Sequence, residues 1–252
     1  MFSILGVVLV MFVLIWVASV ALRDASLVDR FWGLAFFVIA SATSAATDGY
    51  EGRAHLVLVL TAIWGLRLSI HITVRNLGAP EDYRYRAMRQ HWGGLFPVVS
   101  LVTVFALQAV LAWIVSLPVQ AAISAGRPAS ITFLDILGVL VWTAGFLFET
   151  VGDWQLARFK ADPRNRGQVM DRGLWRYTRH PNYFGDAVVW WGLWLFAAAT
   201  GAWWTAVGPA LMTFLLMRVS GVSLLERRLL KTKPQYEDYA RRTSAFLPMP
   251  PR

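Results

Sequence analysis

Residues 171–186 read DRGLWRYTRHPNYFGD. Arg172, Arg176, Arg179 and His180 stand ahead of Pro181, and Asn182, Tyr183 and Asp186 follow as an apolar run begins. Proline is tolerated in the first helical turn, where its missing N–H would have no partner. The spacing predicts a basic loop that brings its charges to a helix N-terminus, where free N–H groups and the dipole already favour an anion. The cluster reads either as a seat for a phosphate-bearing ligand or as arginines flanking a membrane span on its cytosolic side. Upstream, Glu149 and Asp153 lie four apart and share one helical face. They form either a solvated helix end or a cavity-facing pair of acceptors. Asn182 and Asp186 repeat that spacing, and Arg218 and Glu226 close the last apolar run. Convergence of these groups at one membrane depth is harder to explain by packing than any one residue is.

The elements that position them are membrane helices. The 252 residues are 57% hydrophobic, with mean hydropathy +0.50, which excludes a soluble globular domain. Seven apolar runs reach or approach the length needed to cross about 30 Å of hydrocarbon: residues 2–22, 31–47, 55–74, 95–117, 131–151, 183–200 and 202–225. The first lacks a charged leading region and a small-residue cleavage site, so it reads as a span rather than a signal peptide. The expected fold is all-α, a polytopic membrane protein of seven transmembrane helices. Apart from Arg67 and Arg218, every Lys and Arg except Arg53 and Arg127 falls in the first, third and fifth connections or the tail. That bias places the N-terminus outside and the C-terminus in the cytosol. It also explains the net charge of +9 by topology, so nucleic acid is not an expected partner. The membrane would be the inner one in a bacterium and the endoplasmic reticulum in a eukaryote. No obligate protein partner is implied.

With no cysteine there is no disulfide and no thiol nucleophile. His55, His71, His91 and His180 lack metal-ligand spacing, so no metal site is expected. Neither GxGxxG nor GxxxxGK[ST] occurs, so a nucleotide would have to be held by helix ends and loops. Asp29, in VDRFWG, reads either as an acid favoured by a helix dipole or as one facing a cavity from the mouth of the bundle. Arg67 lies more than half-way along the third run, facing the interior or snorkelling outward. Residues 76–94 mix acids, arginines and tyrosines as a solvated loop or a lid, and Gln108 predicts an interhelical hydrogen bond.

These residues carry a resemblance. The pattern E-x3-D at Glu149 and Asp153, then G-L-W-x-Y-x4-N-Y-x-G-D, then E-R and Y-E-D-Y before a proline-containing end, resembles the steroid 5α-reductase family, most closely its bacterial relatives. It runs from Glu149 to the C-terminus, with weaker matches at VDRFWG and WGLRL. The resemblance implies a seven-span enzyme that uses NADPH to reduce the 4,5 double bond of a 3-oxo-steroid or similar lipid-soluble enone entering from the bilayer. It implies one membrane domain over residues 1–252, with substrate-side helices in 1–117 and cofactor-binding helices, loop and tail in 131–252. Glu149, Asp153, Tyr177, His180, Asn182, Tyr183 and Asp186 would line the cofactor. Lys160, Arg172, Arg176 and Arg179 would meet its phosphates, and Glu226, Arg227 and Tyr236 would close the site. The family's catalytic Glu and Tyr fall on Asp29 and Trp64, with Arg67 beside them. An indole donates a hydrogen bond but supplies no phenolic proton. The block RHPNY-G is also similar to that of isoprenylcysteine and phospholipid methyltransferases, which bind S-adenosylmethionine. That ligand is a sulfonium without phosphate, whereas seven Arg and Lys between Arg158 and Arg179 suit NADPH.

Overall fold

The computed structural model describes residues 2–219, 222, 226, 229–230, 232–233 and 235–251. Those residues fold into helices joined by short connections, with no strand among them: α1 (Phe2–Leu22), α2 (Leu27–Ala46), α3 (Glu51–Arg75), α4 (Tyr83–Trp92), α5 (Phe96–Ser100), α6 (Leu107–Val115), α7 (Leu117–Ser124), α8 (Phe133–Ala161), α9 (Pro181–Ala199), α10 (Val207–Phe214) and α11 (Tyr236–Arg242). Among the described residues, five stretches are long and apolar enough to cross a membrane: α1, α2, α3, the run Tyr83–Val115, and α8. The protein is thus a membrane protein by helix length and composition. The sixth and seventh expected spans are not among the five: α9 carries Asn182 and Asp186, and α10 passes into a π-helical turn over Leu215–Val219. Leu225, the expected end of the seventh, lies outside the described residues.

The chain divides into two compact units, Met1–Thr132 with Phe196–Thr205, and Phe133–Leu195 with Ala206–Arg252. In the first unit, α1 buries one stripe, Ile4, Val8, Phe12, Ile15 and Ser19, at the spacing of a single helical face. Val10, Leu14 and Val17 stay exposed on the other side, as a lipid-facing surface requires. The helices α2 and α3 meet backbone to backbone at Gly33 and Gly65, where a methyl on either would strike the other's carbonyl oxygen. Small residues permit such close approach, which is a favoured contact between membrane helices. Ser69 Oγ accepts from the Leu34 N–H there, at 2.9 Å. Arg53 is fully buried and donates to the carbonyls of Pro128 (3.0 Å) and Ser130 (2.9 Å), fastening the connection after α7.

The run Tyr83–Val115 is not one straight rod. Tyr85 and Gln108 would stand about 35 Å apart on an unbroken helix, yet Gln108 hydrogen-bonds the Tyr85 hydroxyl. The chain reverses at Gly93, whose φ of 51° is left-handed. Arg89 Cζ then lies 4.4 Å from the centroid of the Phe96 ring across the bend.

In the second unit α8 and α9 run antiparallel along a glycine seam. A Cβ at Gly192 would lie 2.6 Å from Trp142 N, and one at Gly145 would lie 2.6 Å from Val189 N. Gly185 faces the Glu149 backbone, and Gly152 faces Pro181 and Asn182. The seven-residue spacing of Gly145 and Gly152, matched by Gly185 and Gly192, keeps all four on the contact stripe. This seam buries Glu149, Asp153 and Asp186.

Candidate functional site: a cation-lined cavity

At the C-terminal end of α8 the second unit holds a cavity of about 540 Å³. Its walls are the last turn of α8 (Leu156, Phe159, Lys160), the loop 161–170, Trp175, Arg179 and His180, and from the tail Leu229, Lys233, Tyr236 and Tyr239. Each wall has a local reason for its position. The turn Gly173–Arg176 is pinned on α8 because Gln155 Oε1 accepts from the Leu174 N–H at 3.0 Å and the Gly152 carbonyl accepts from Trp175 Nε1 at 3.0 Å. Gly173 has φ 60°, and a side chain there would run into Gln155, so this turn needs glycine. The Lys233 ammonium donates to the Gln168 carbonyl and ties the loop to the tail. In α11 the Y-E-D-Y pattern resolves into two faces: Tyr236 and Tyr239 are buried, while Glu237 and Asp238 are exposed in the first turn, where acids suit the dipole. The Tyr239 hydroxyl donates to the Trp175 carbonyl.

Arg179 is the hinge of this wall. Its Nε donates to Glu226 Oε1 at 2.7 Å, and its Nη1 donates to the carbonyls of Ala240 (2.7 Å) and Thr243 (2.6 Å). The C-terminal segment is clasped alongside: Arg179 N–H to the Ser244 carbonyl, Thr178 Oγ1 to the Phe246 carbonyl, and Met249 N–H to the Tyr177 carbonyl, each at 2.9 Å. His180 is 1% exposed, stacks parallel to Tyr183, and contacts Glu226 Oε1 through Nε2 at 3.1 Å. Burial would raise the Glu226 carboxyl, but the hydrogen bonds from His180 and Arg179 outweigh it and hold its pKa down at about 2. Burial lowers the pKa of His180 despite Glu226. A neutral imidazole facing a carboxylate must donate from Nε2, which leaves Nδ1 as the bare acceptor, buried and without a partner among the described residues. Burial also raises the Tyr236 and Tyr239 phenols, so both stay protonated.

Both depressed values have the same sign of consequence. The folded state binds fewer protons than the unfolded one, so stability rises with pH. The His180 contribution is complete above its ordinary 6.5 and fades as pH falls below it. The Glu226 contribution is complete above 4.5 and is lost as pH falls towards 2. Thermal unfolding between pH 7 and pH 4 is therefore expected to show a falling midpoint. A His180→Gln, Glu226→Gln double variant should flatten that slope.

The residues expected to hold a cofactor are separated into three groups. Lys160, Arg179, His180 and Tyr236 line the cavity, with Glu226 behind them. Glu149, Asp153, Asn182 and Asp186 belong to the α8–α9 seam, where Asn182 Nδ2 donates to Asp153 Oδ1 at 3.0 Å. Arg172 and Arg176 line a different depression, together with Arg242. Tyr177 is 45% exposed beside that depression, and Arg227 lies outside the described residues. Arg166, Lys233 and Tyr239 were not singled out in the sequence. Only the i, i+3 spacing of the tail tyrosines signalled any of them.

A second polar cluster lies in the first unit. Asp29 accepts from Arg84 Nη2 at 2.8 Å and from the Tyr85 hydroxyl at 2.9 Å. The surrounding loop is strapped to the start of α2: Glu81 accepts from the Ala25 N–H at 2.8 Å, and Ser26 Oγ accepts from the Asp82 N–H at 2.7 Å. Two bonds from Arg89 hold Glu81 below its ordinary carboxylate range, against the effect of burial. Thus residues 76–94 supply a phenol and a guanidinium to Asp29, which sequence spacing did not disclose. Trp64 is fully enclosed, edge-on to Phe36 with ring centroids 5.6 Å apart. Arg67 is half-buried on α3.

The family model "Protein of unknown function (DUF1295)" matches residues 15–243. The chain belongs to that family. The matched region of this DUF1295 protein takes in both clusters, from Asp29 to the tail tyrosines. It is also similar to an uncharacterized protein of Schizosaccharomyces pombe, 25% identical over 211 residues that cover 73% of this chain and 60% of the relative. The chain therefore spans about 60% of that relative's length. No solved structure matches it.

Proposed function

We propose that this DUF1295 chain is an NADPH-dependent reductase of a lipid-soluble enone, as its resemblance to the steroid 5α-reductases implies. The observation that supports this reading best is the charge of the cavity wall. Lys160, Arg166, Arg179 and Lys233 line it against a single lining acid, Asp162, whose carboxylate is already engaged by Arg164 at 2.8 Å. A dinucleotide with a diphosphate and a 2′-phosphate suits such a wall, whereas a sulfonium is repelled by it. Lys160, Arg166, Arg179 and Lys233 would meet the phosphates. Trp175 and Tyr239 would offer apolar faces to the rings. The same reading takes the chain across the membrane seven times, with the N-terminus outside and the cavity facing the cytosol. The region of α9 and residues 203–219 supplies the two crossings beyond the five apolar stretches.

NADPH, when bound, supplies a hydride for the β-carbon of the enone. The resemblance gives the carbonyl-polarising role to the position of Asp29. Asp29, paired with Arg84, acts as an acceptor and holds the Tyr85 hydroxyl. Turned from Asp29 towards a carbonyl oxygen, that hydroxyl, rather than the Trp64 indole, would offer the phenolic proton, and Arg84 adds positive charge. Donors within reach of the oxygen where an enolate forms lower its energy. A solvent proton at the α-carbon would complete the saturation.

The test is turnover in detergent. NADPH consumption is expected on adding a 3-oxo-Δ4-steroid, with the 4,5-saturated ketone as product. Methyl transfer from labelled S-adenosylmethionine to a lipid, with no NADPH consumption, would replace this reading by the methyltransferase one.

A further inference from the structure

The arginines that line no part of the cavity occupy a depression of their own, of about 600 Å³, formed by Arg172, Gly173, Arg176, Arg242 and their neighbours. One acid, Asp171, lies among them and is held by Arg242 at 2.8 Å. Arg172 and Arg176 are exposed. The C-terminal segment that brings Pro251 to the hollow also exposes Leu247 and Met249, 54% and 48%, and its Met249 N–H is bonded to the carbonyl of Tyr177, next to Arg176. The level of the depression on α8 is fixed by Gln155, which holds the Gly173 turn. At that same level Trp154 is exposed, with Arg158 Cζ 5.5 Å from its ring. An exposed tryptophan with a cation beside it marks a bilayer interface. Guanidinium groups in a hollow, exposed apolar side chains on the segment that lines it and an interfacial aromatic at the same height match the parts of a phospholipid: charged head, glycerol and acyl chains.

We propose that this depression binds the headgroup phosphate of an anionic phospholipid. The site is independent of what occupies the cavity. It assigns Arg172 and Arg176 to the membrane rather than to the cofactor.

The test is native mass spectrometry of the full chain, delipidated in detergent and offered phosphatidylglycerol or phosphatidylcholine. Phosphatidylglycerol should be retained preferentially. Each of Arg172→Gln, Arg176→Gln and Arg242→Gln should weaken it about fivefold, from about 1 kcal/mol per interfacial arginine, with the NADPH thermal shift unchanged. The single variants alter exposed side chains, so they report even where the triple variant does not purify. Equal retention of the two lipids, or unchanged phosphatidylglycerol binding in all three variants, would overturn the proposal. So would displacement of the lipid by equimolar inorganic phosphate, which makes the hollow a soluble-anion site. Loss of the NADPH shift with lipid retained would return the arginines to the cofactor.

Discussion

Glu226→Ala is expected to lower the thermal midpoint by on the order of 10 °C in detergent, from a loss of about 3 kcal/mol. The side chains of Arg179 and Glu226 are only 11% and 19% exposed. Removing the carboxylate strands a guanidinium that also holds the Ala240 and Thr243 carbonyls. Removing one member of such a pair costs more than the pair contributes, because the charge left behind is poorly solvated. The effect should reach the cavity, since Arg179, His180 and Tyr236 all contact Glu226 and all line it. NADPH affinity is therefore expected to fall along with stability. Glu226→Gln keeps an acceptor and should recover most of the midpoint. An unchanged midpoint in the alanine variant would mean that the tail is held by other contacts.

Tyr85→Phe is expected to slow enone reduction at least about a hundredfold while leaving the NADPH dissociation constant unchanged. Loss of one donor to a developing oxyanion typically costs 10²–10³ in kcat. The ring remains to fill its buried position, and only the hydroxyl between Asp29 and Gln108 is lost. Asp29→Asn should act in the same direction but more weakly, because an amide still offers Tyr85 an acceptor. Trp64→Phe, in an enclosed packing site, should affect stability more than turnover. Full activity in Tyr85→Phe would remove the Asp29 cluster from the reaction and leave it as the strap that fixes the loop to α2.

Helices are the part of this protein that sequence reveals best. Apolar runs gave α1 with the same bounds, Phe2–Leu22, because nothing polar interrupts it. They missed the first turn of α2: Asp29 and Arg30 break the run, yet they sit inside a helix that begins at Leu27. The stretch 76–94, read as a loop or a lid, contains the helix α4 and the reversal at Gly93, which shows only when Tyr85 is seen to reach Gln108. The connection after Leu117, uninformative by composition, contains α7, whose small residues pack against α2 and α3. At the site, the i, i+4 spacing put Glu149 with Asp153 and Asn182 with Asp186 on shared helical faces, but did not show that the α8–α9 seam, rather than solvent or a cavity, receives Glu149, Asp153 and Asp186. Asp153 and Asn182 turned out to face each other, a relation set by the glycine seam and not by either helix alone. The basic block before Pro181 was legible as a cluster. Its division between a cavity and a separate hollow was not, because the Gly173 turn sends Arg172 and Arg176 one way and the clasp on the C-terminal segment draws Arg179 the other.

A binding titration of purified protein, read by thermal shift, puts the central claim at risk most directly. NADPH should raise the midpoint saturably and more strongly than NADH, and S-adenosylmethionine should not raise it. The Lys160→Ala, Arg166→Ala double variant, which alters two exposed side chains, should lose most of the NADPH shift while unfolding near the wild-type temperature without ligand. A shift with S-adenosylmethionine and none with NADPH, or an NADPH shift undiminished in the double variant, would contradict the assignment of this cavity to a dinucleotide.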